Sequence, residues 1–246
     1  MGKLDRLLAF ILIALVLWAR GVEATEEVFS SGRSQARLVE LFTSQGCSSC
    51  PPAESRLNEL MDSPGLWTDV VPVAFHVSYW DRLGWKDPFA NKRFTQRQYA
   101  YRSAGRVGSV YTPCFVVDGA EWRGYFSGEA LPRSSEDSSG TLVARVADER
   151  VTVEYDGSDR ATDVKAAVAI LGVGLETEVR RGENRNRTLR QEFVALSLAQ
   201  GPLRRSMSLP KRNAIHPADR YAIAVWVYEE GSLRVLQATG GWLSDW

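Results

Sequence analysis

Short apolar runs alternate with helix-like stretches in the first half of the chain. Residues 37–42 and 70–75 are compact and mostly apolar, which is typical of short buried strands. Residues 57–61 place apolar side chains at i, i+3 and i+4, and residues 91–102 carry two aromatic rings one heptad apart, so both stretches predict helices. Residues 114–126 predict a hairpin around an Asp-Gly turn. Strands and helices that alternate over short connections predict a central sheet flanked by helices.

The pattern changes in the second half, where strand-like runs follow one another without helical stretches between them. These runs are residues 151–155, 164–171, 193–198, 221–228 and 233–236. Short strands separated by turn-rich gaps are typical of an antiparallel sandwich. We therefore predict an α/β domain, with a central mixed sheet and flanking helices, followed by a β-rich, sandwich-like C-terminal domain.

A stretch rich in Pro, Ser and Glu separates the two patterns and sets the predicted boundaries. The predicted division is a signal peptide at residues 1–24, a polar lead-in at 25–35, the α/β domain at 36–130, a linker at 131–141 and the β-rich domain at 142–246.

The first 24 residues have the order of a secretory signal peptide. Lys3 and Arg6 precede an unbroken apolar run at residues 7–19, and Val22-Glu23-Ala24 offers a cleavage site between small side chains. A membrane span needs about 20 apolar residues, so this run is too short for one. We expect cleavage after Ala24 and export to the periplasm or beyond, with an uncleaved membrane anchor left open as the alternative. After removal of the signal the sequence predicts no membrane association.

Charge argues against one class of partner. The chain has 30 basic and 30 acidic residues that are interspersed, so nothing predicts binding to nucleic acid. No phosphate loop, Ser-His-Asp pattern or paired-carboxylate signature stands out, and we predict no cofactor. The oligomeric state cannot be derived from the sequence.

Cys47-Ser48-Ser49-Cys50 is the strongest chemical signal, because it lies between a predicted strand and a predicted helix. A helix start favours thiolate over thiol, and this context favours a redox pair. Pro51 and Pro52 leave the first residue of the helix undecided between them, with Cys47 outside it. Two alternatives stay open: a structural disulfide, which is common in exported proteins, and half of a zinc or copper site. We assign no metal ligands.

Two other side chains attract attention. His76 follows a predicted strand and is a candidate acid–base partner for a cysteine, although a hydrogen-bonded structural histidine is the favoured interpretation. Cys114 is the odd cysteine, and the apolar residues after it predict a reduced thiol buried in the core.

Three motifs resemble a known family. They are Val-Glu-Leu-Phe-Thr-Ser-Gln-Gly-Cys-Ser-Ser-Cys-Pro-Pro at residues 39–52, His-Val-x-Tyr-Trp-Asp-x-Leu-Gly-Trp-Lys-Asp-Pro-Phe at 76–89 and Val-Tyr-Thr-Pro at 110–113. Together they resemble the exported thioredoxin-like family catalogued as domain of unknown function 1223, over roughly residues 36 to 240. The resemblance implies a thioredoxin-like fold in which Pro113 is cis and lies against the cysteine pair. Thr112 and Pro113 would then border a groove for the substrate backbone. Ser48-Ser49 departs from the Gly-Pro that thioredoxins commonly carry at these positions.

The resulting hypothesis is an exported thiol–disulfide oxidoreductase whose partner is a protein thiol or disulfide. Cys47 would attack or be attacked, and Cys50 would resolve the mixed disulfide. The alternatives are a non-catalytic binding module with a structural disulfide, and a copper- or zinc-binding protein that uses the same cysteines.

Overall fold

A computed structural model describes residues 26–132, 139–157, 163–244 and 246. The predicted signal peptide lies outside these residues, as does most of the predicted linker. In the described part of the chain, fifteen strands form three sheets, accompanied by two α-helices and short 3-10 turns. The α-helices are α1 (Cys50–Asn58) and α2 (Lys92–Ser103). The strands are β1 (Glu27–Ser30), β2 (Arg37–Thr43), β3 (Val70–His76), β4 (Cys114–Val117), β5 (Ala120–Trp122), β6 (Leu142–Ala147), β7 (Arg150–Tyr155), β8 (Val164–Val173), β9 (Leu175–Val179), β10 (Arg187–Gln191), β11 (Val194–Ala195), β12 (Ala199–Pro202), β13 (Met207–Ser208), β14 (Arg220–Glu229) and β15 (Val235–Trp242).

The predicted fold class is wrong. Over the described residues the protein is mostly β, and the two α-helices there span nine and twelve residues. Its largest sheet has the order β15-β14-β8-β11-β3-β2-β4-β5, with β12 also paired to β8. The two smaller sheets have the orders β1-β6-β7-β13 and β9-β10. Strands from both halves of the sequence therefore share one sheet, instead of forming an α/β unit with flanking helices followed by a separate sandwich.

The two-residue strand β11 explains this difference. Val194 pairs with Ala74 of β3 in parallel and with Gly172 of β8 in antiparallel register, so it joins the strands of the first half to those of the second. Hydrogen bonds continue this junction, because the Ala74 amide donates to the Phe193 carbonyl at 2.8 Å. Such a short strand has no periodicity that could reveal its two partners.

Strands β8 and β14 are buried on both faces. One face packs on the inner side of the β6–β7 hairpin, where Leu142, Val151 and Ile170 belong to one apolar cluster. The opposite face, with Leu171 and Trp226, packs into the core around β2 and β3. Burial on both sides accounts for the continuous apolar runs of these strands.

A buried ion pair fixes α2 against the main sheet. Arg97 Nε donates to Glu40 Oε1 of β2 at 2.5 Å, and the Tyr101 hydroxyl donates to the same carboxylate. The Arg97 guanidinium also lies 4.9 Å from the centre of the Trp226 ring. Glu40 is fully buried, and the ion pair with Arg97 offsets the cost of burying its carboxylate.

Three strand ends meet at one end of the main sheet. β2 and β3 run parallel, and their register pairs Thr43 with His76. β4 runs antiparallel to β2 and begins beside its end, with Cys114 paired to Phe42. This topology brings Cys47, His76 and Thr112 to the same end of the sheet, although they lie far apart in the sequence.

In the described part of the chain, no helix is long and apolar enough to cross a membrane.

Candidate functional site

The cysteine pair forms a disulfide at the start of α1. Cys50 is the first residue of the helix, the Cα atoms of Cys47 and Cys50 lie 5.4 Å apart, and Pro51 and Pro52 occupy the first helical turn. Proline is tolerated there because the first amides of a helix have no partner within it. Cys47 is 1% exposed and Cys50 is fully buried, whereas Ser48 and Ser49 between them are exposed.

A hairpin from the second half of the chain covers the disulfide. We call β9, β10 and the loop at residues 180–186 the covering hairpin. Asn184 Nδ2 donates to the carbonyl oxygens of Gln45 and Cys47, both at 2.9 Å, and is itself almost fully buried. The Ser48 amide donates to Glu183 Oε2 at 2.8 Å, which lowers the pKa of that carboxyl. The sequence shows this polar turn but gives no sign that it lies on the cysteines.

The covering hairpin also contacts the loop that follows β3. A Cβ built on Gly182 would lie 3.1 Å from Trp85 Cβ, so Gly182 and Trp85 are in close contact. The indole of Trp85 donates to Gln45 Oε1 at 3.0 Å. Two segments that are distant in sequence thus surround the residues just before Cys47.

A chain of buried polar side chains lies beneath this cover. Gln45 Nε2 donates to Gln191 Oε1 at 2.9 Å, and Gln191 Nε2 donates to Glu54 Oε2 at 3.1 Å. The other Glu54 oxygen accepts from the Thr43 hydroxyl at 2.6 Å. Glu54 lies one turn of α1 after Cys50, so the two side chains share a face of the helix. A carboxyl group is therefore buried beside the disulfide, on the side of α1 that faces the sheet.

His76 forms a buried pair with Asp87. Its Nδ1 lies 2.7 Å from Asp87 Oδ2, and the same oxygen accepts from the Gln45 amide at 2.8 Å. Burial by itself lowers the pKa of His76, but the charge and hydrogen bond of Asp87 and the charge of Glu54 outweigh it, so the pKa is raised. Burial raises the pKa of Asp87, and His76 together with two backbone amides outweighs that effect and lowers it. Both directions favour an imidazolium–carboxylate pair.

The other nitrogen of His76 is left without a partner. Nε2 is buried, and among the described residues it has no hydrogen-bond partner. Directly paired residues of neighbouring strands point to the same face of a sheet, so His76 shares the face of Thr43, whose hydroxyl contacts α1. The His76 side chain therefore belongs to the layer between the sheet and α1.

Thr112 is tied to the cysteine loop through Trp80. The Thr112–Pro113 peptide bond is cis. Trp80 Nε1 donates to Thr112 Oγ1 at 2.7 Å, and Trp80 Cβ would lie 3.3 Å from a Cβ built on Gly46. This hydrogen bond links two predicted site segments.

Cys114 and His216 stand apart from this arrangement. Cys114 is fully buried and unpaired, and burial, opposed in part by a hydrogen bond with Tyr111, raises the pKa of its thiol to about 12. His216 is exposed, and its ring packs edge-on against Phe89, which separates it from His76. Among the described residues, no group of three His, Cys, Asp or Glu side chains is placed to hold a metal ion.

Comparison with known proteins gives a family and a fold. The model of a family described as protein of unknown function (DUF1223) matches residues 38–228. Protein AGR_C_4864 of Agrobacterium tumefaciens is a solved structure with 26% sequence identity and a TM-score of 0.55, over 85% of this chain and 95% of that one. HBP35 of Porphyromonas gingivalis is similar in fold alone, with 11% identity and a TM-score of 0.52 over 87% of this chain and 77% of that one. No curated protein matches the sequence.

Proposed function

The chain belongs to the family of proteins of unknown function DUF1223, and we propose that it exchanges disulfides with the thiols of other proteins through Cys47 and Cys50. A partner thiolate attacks the Cys47 sulfur, a new sulfur–sulfur bond forms, and the Cys47–Cys50 bond breaks as Cys50 leaves as a thiolate. A second partner thiol then attacks the mixed disulfide. The partner leaves oxidised, and its two electrons and two protons remain on Cys47 and Cys50. The reverse steps reduce a partner disulfide.

The observation that carries this proposal is the very short loop that the disulfide closes. Only Ser48 and Ser49 lie between the two cysteines. A disulfide stabilises a fold mainly by restricting the unfolded chain, and the effect grows with loop length. For a loop this short the chain-entropy relation gives only about 2 kcal/mol, against roughly 5 kcal/mol for a loop of 100 residues. A disulfide of such small structural value fits a reactive role better than a structural one.

The surroundings of the pair support the same proposal. The covering hairpin contacts the cysteine loop through side chains, with Asn184 donating to two backbone carbonyls and Glu183 accepting from the Ser48 amide, and not through a continuous backbone ladder. Such contacts can open locally while the rest of the fold stays intact. Thr112, which Trp80 links to Gly46, would then border the opened groove together with Pro113.

Burial of the disulfide favours a second candidate function. With Cys47 and Cys50 1% and 0% exposed, no partner thiol can reach either sulfur while the hairpin is closed. If the hairpin never opens, the pair is a structural disulfide and the protein is a binding module. The two candidates differ in the reduction potential, because structural disulfides lie below about −300 mV.

The first experiment combines that potential with single cysteine variants. The pair is equilibrated with glutathione, and exchange between the reduced protein and a model protein that carries an accessible disulfide is followed in parallel. We expect a potential above about −300 mV, loss of exchange in Cys47→Ser, and a trapped mixed disulfide in Cys50→Ser. Cys114→Ala serves as the matched control, since that buried thiol stands apart from the pair. Full exchange activity in both single variants would refute the proposal.

The same proposal places the protein outside the cytoplasm, where an oxidising environment keeps such a disulfide formed. The support is the charged, apolar and small-residue order of residues 1–24. N-terminal sequencing of the exported protein should start near Thr25. A start at Met1 or Gly2 would show that the signal is not cleaved.

A further inference from the structure

We propose that His76, held in place by Asp87, donates a hydrogen bond from its Nε2–H to the thiolate that Cys50 becomes when the disulfide opens. This inference rests on the proposed disulfide exchange and assigns the group that stabilises its leaving thiolate. His76 would be the residue that touches the reacting sulfur, and Asp87 would be a positioning residue that acts through His76.

The first argument is the cost of the arrangement in the closed form. His76 is completely buried, one ring nitrogen is bound to Asp87, and the other has no partner among the described residues. A buried donor without a partner is unfavourable, and this cost is greater for a charged ring. Retaining such a group is explained if an acceptor arises at another stage of the reaction. Opening of the disulfide creates one, because it leaves a negatively charged sulfur.

The second argument is placement. His76 shares a sheet face with Thr43, and Thr43 binds Glu54, which lies one turn after Cys50 on α1. Cys50, Glu54 and His76 are each buried in this layer. Cys50 lies one turn before Glu54, on the face of α1 that is directed at the sheet, and this places it in the layer with His76. Cys47 lies before the helix. When the sulfur–sulfur bond breaks, the two sulfurs move apart and the Cys50 sulfur is free to approach the ring.

The third argument is charge. The carboxylate of Asp87 raises the pKa of His76 and His76 lowers that of Asp87, so the pair favours the imidazolium form, and a neighbouring imidazolium stabilises a thiolate. The other acidic group that acts on the ring is Glu54 on α1, while Asp81 contacts Asp87 by accepting a hydrogen bond from its amide at 3.2 Å. His216 faces the ring only across Phe89. Glu54 acts in the opposite sense to His76, because a negative charge destabilises a nearby thiolate.

The test measures the thiol pKa of the fully reduced protein from the ultraviolet absorbance of the thiolate. Cys114 does not interfere, since its pKa of about 12 keeps it protonated over the range. In His76→Gln the lower thiol pKa should rise by about one unit, the value expected for loss of one hydrogen bond to a charged group. The reduction potential should fall with it, by about 30 mV for each tenfold change in the equilibrium with glutathione.

Matched variants separate this role from a structural one. His216→Gln changes the only other histidine of the sequence and should leave both values as in the wild type. Glu54→Gln should shift the thiol pKa downward, opposite to His76→Gln, whereas general loosening of the polar layer would shift both in the same direction. Asp87→Asn should reproduce the upward shift, because it removes the carboxylate that raises the pKa of His76.

A wild-type measurement keeps the proposal testable if the His76 variants do not fold. The imidazole nitrogen signals of His76 should shift between the oxidised and reduced protein as Nε2 gains its acceptor. Unchanged signals, or a His76→Gln thiol pKa equal to that of His216→Gln, would overturn the inference. Neither result depends on turnover, so a protein that fails to exchange disulfides refutes the proposed function separately.

Discussion

Opening of the covering hairpin should set how fast the Cys47–Cys50 disulfide can be reduced. Asn184 donates two hydrogen bonds to the buried carbonyl oxygens of Gln45 and Cys47. In Asn184→Ala both bonds are lost and both oxygens stay buried without this donor. At about 1 kcal/mol for each net hydrogen bond, the closed state loses roughly 2 kcal/mol relative to the open state. That change corresponds to a roughly 30-fold increase in the open fraction.

The assay follows reduction of the native disulfide by excess dithiothreitol under conditions in which the hairpin opens and closes faster than the sulfur reacts. The observed rate is then proportional to the open fraction, and we expect Asn184→Ala to react roughly 30-fold faster than the wild type. Arg185→Ala is the control, since that exposed neighbour lies in the same loop. Urea unfolding of each variant shows whether global stability has changed as well.

A rate for Asn184→Ala within twofold of the wild type, with the fold intact, would refute the reasoning. It would mean that the two hydrogen bonds do not limit access to the disulfide. An equal acceleration in Arg185→Ala would also contradict it, because that variant removes neither bond.

Three further predictions concern stability and thiol reactivity. Folding lowers the pKa of Asp87 from its ordinary value of 3.8 and raises the pKa of His76 from its ordinary value of 6.5. The pair therefore contributes its full stabilisation between pH 3.8 and pH 6.5. The loss of unfolding free energy in Asp87→Asn should therefore be greatest between these values and shrink on both sides, as urea titrations at several pH values would show. Arg97→Ala leaves the Glu40 carboxylate buried without its ion-pair partner and should cost about 3–5 kcal/mol in the same assay, whereas a loss below 1 kcal/mol would contradict that role. Cys114, with a pKa of about 12, should resist iodoacetamide in the native protein and react only after unfolding, as mass spectrometry of the labelled peptide can show.

Several elements of local structure could be predicted from the sequence. The apolar run at residues 37–42 is within β2, the helical pattern at residues 91–102 matches α2 to within one residue at each end, and the Asp-Gly turn joins β4 to β5. These elements are defined by periodicity and turn chemistry, which depend on neighbours along the chain. The start of α1 at Cys50, one residue before the first proline, falls within the usual uncertainty of a helix end.

The global arrangement depended on contacts that periodicity does not encode. The apolar pattern of residues 193–198 predicts that they are inside the protein, but it does not predict that Val194 pairs with both β3 and β8. An apolar strand that is buried on both faces can add to any sheet with a free edge. A sequence of alternating strands and helices followed by a run of strands is therefore compatible with two domains or with one shared sheet. Only the tertiary structure shows that the strands share one sheet.

The site divides in the same way. The sequence alone predicted Cys47 and Cys50 as the candidate pair, because their spacing and their place before a helix are local properties. The cover over them comes from Asn184, which is 137 residues away from Cys47, and the pairing of His76 with Asp87 needs the loop between them to fold back. Hydrogen bonds between distant polar side chains leave no periodic trace in a sequence, since each such residue looks like an ordinary surface residue until the fold buries it. The sequence therefore determined which side chains are candidates for redox chemistry, and only the tertiary structure decided what covers them and which charges surround them.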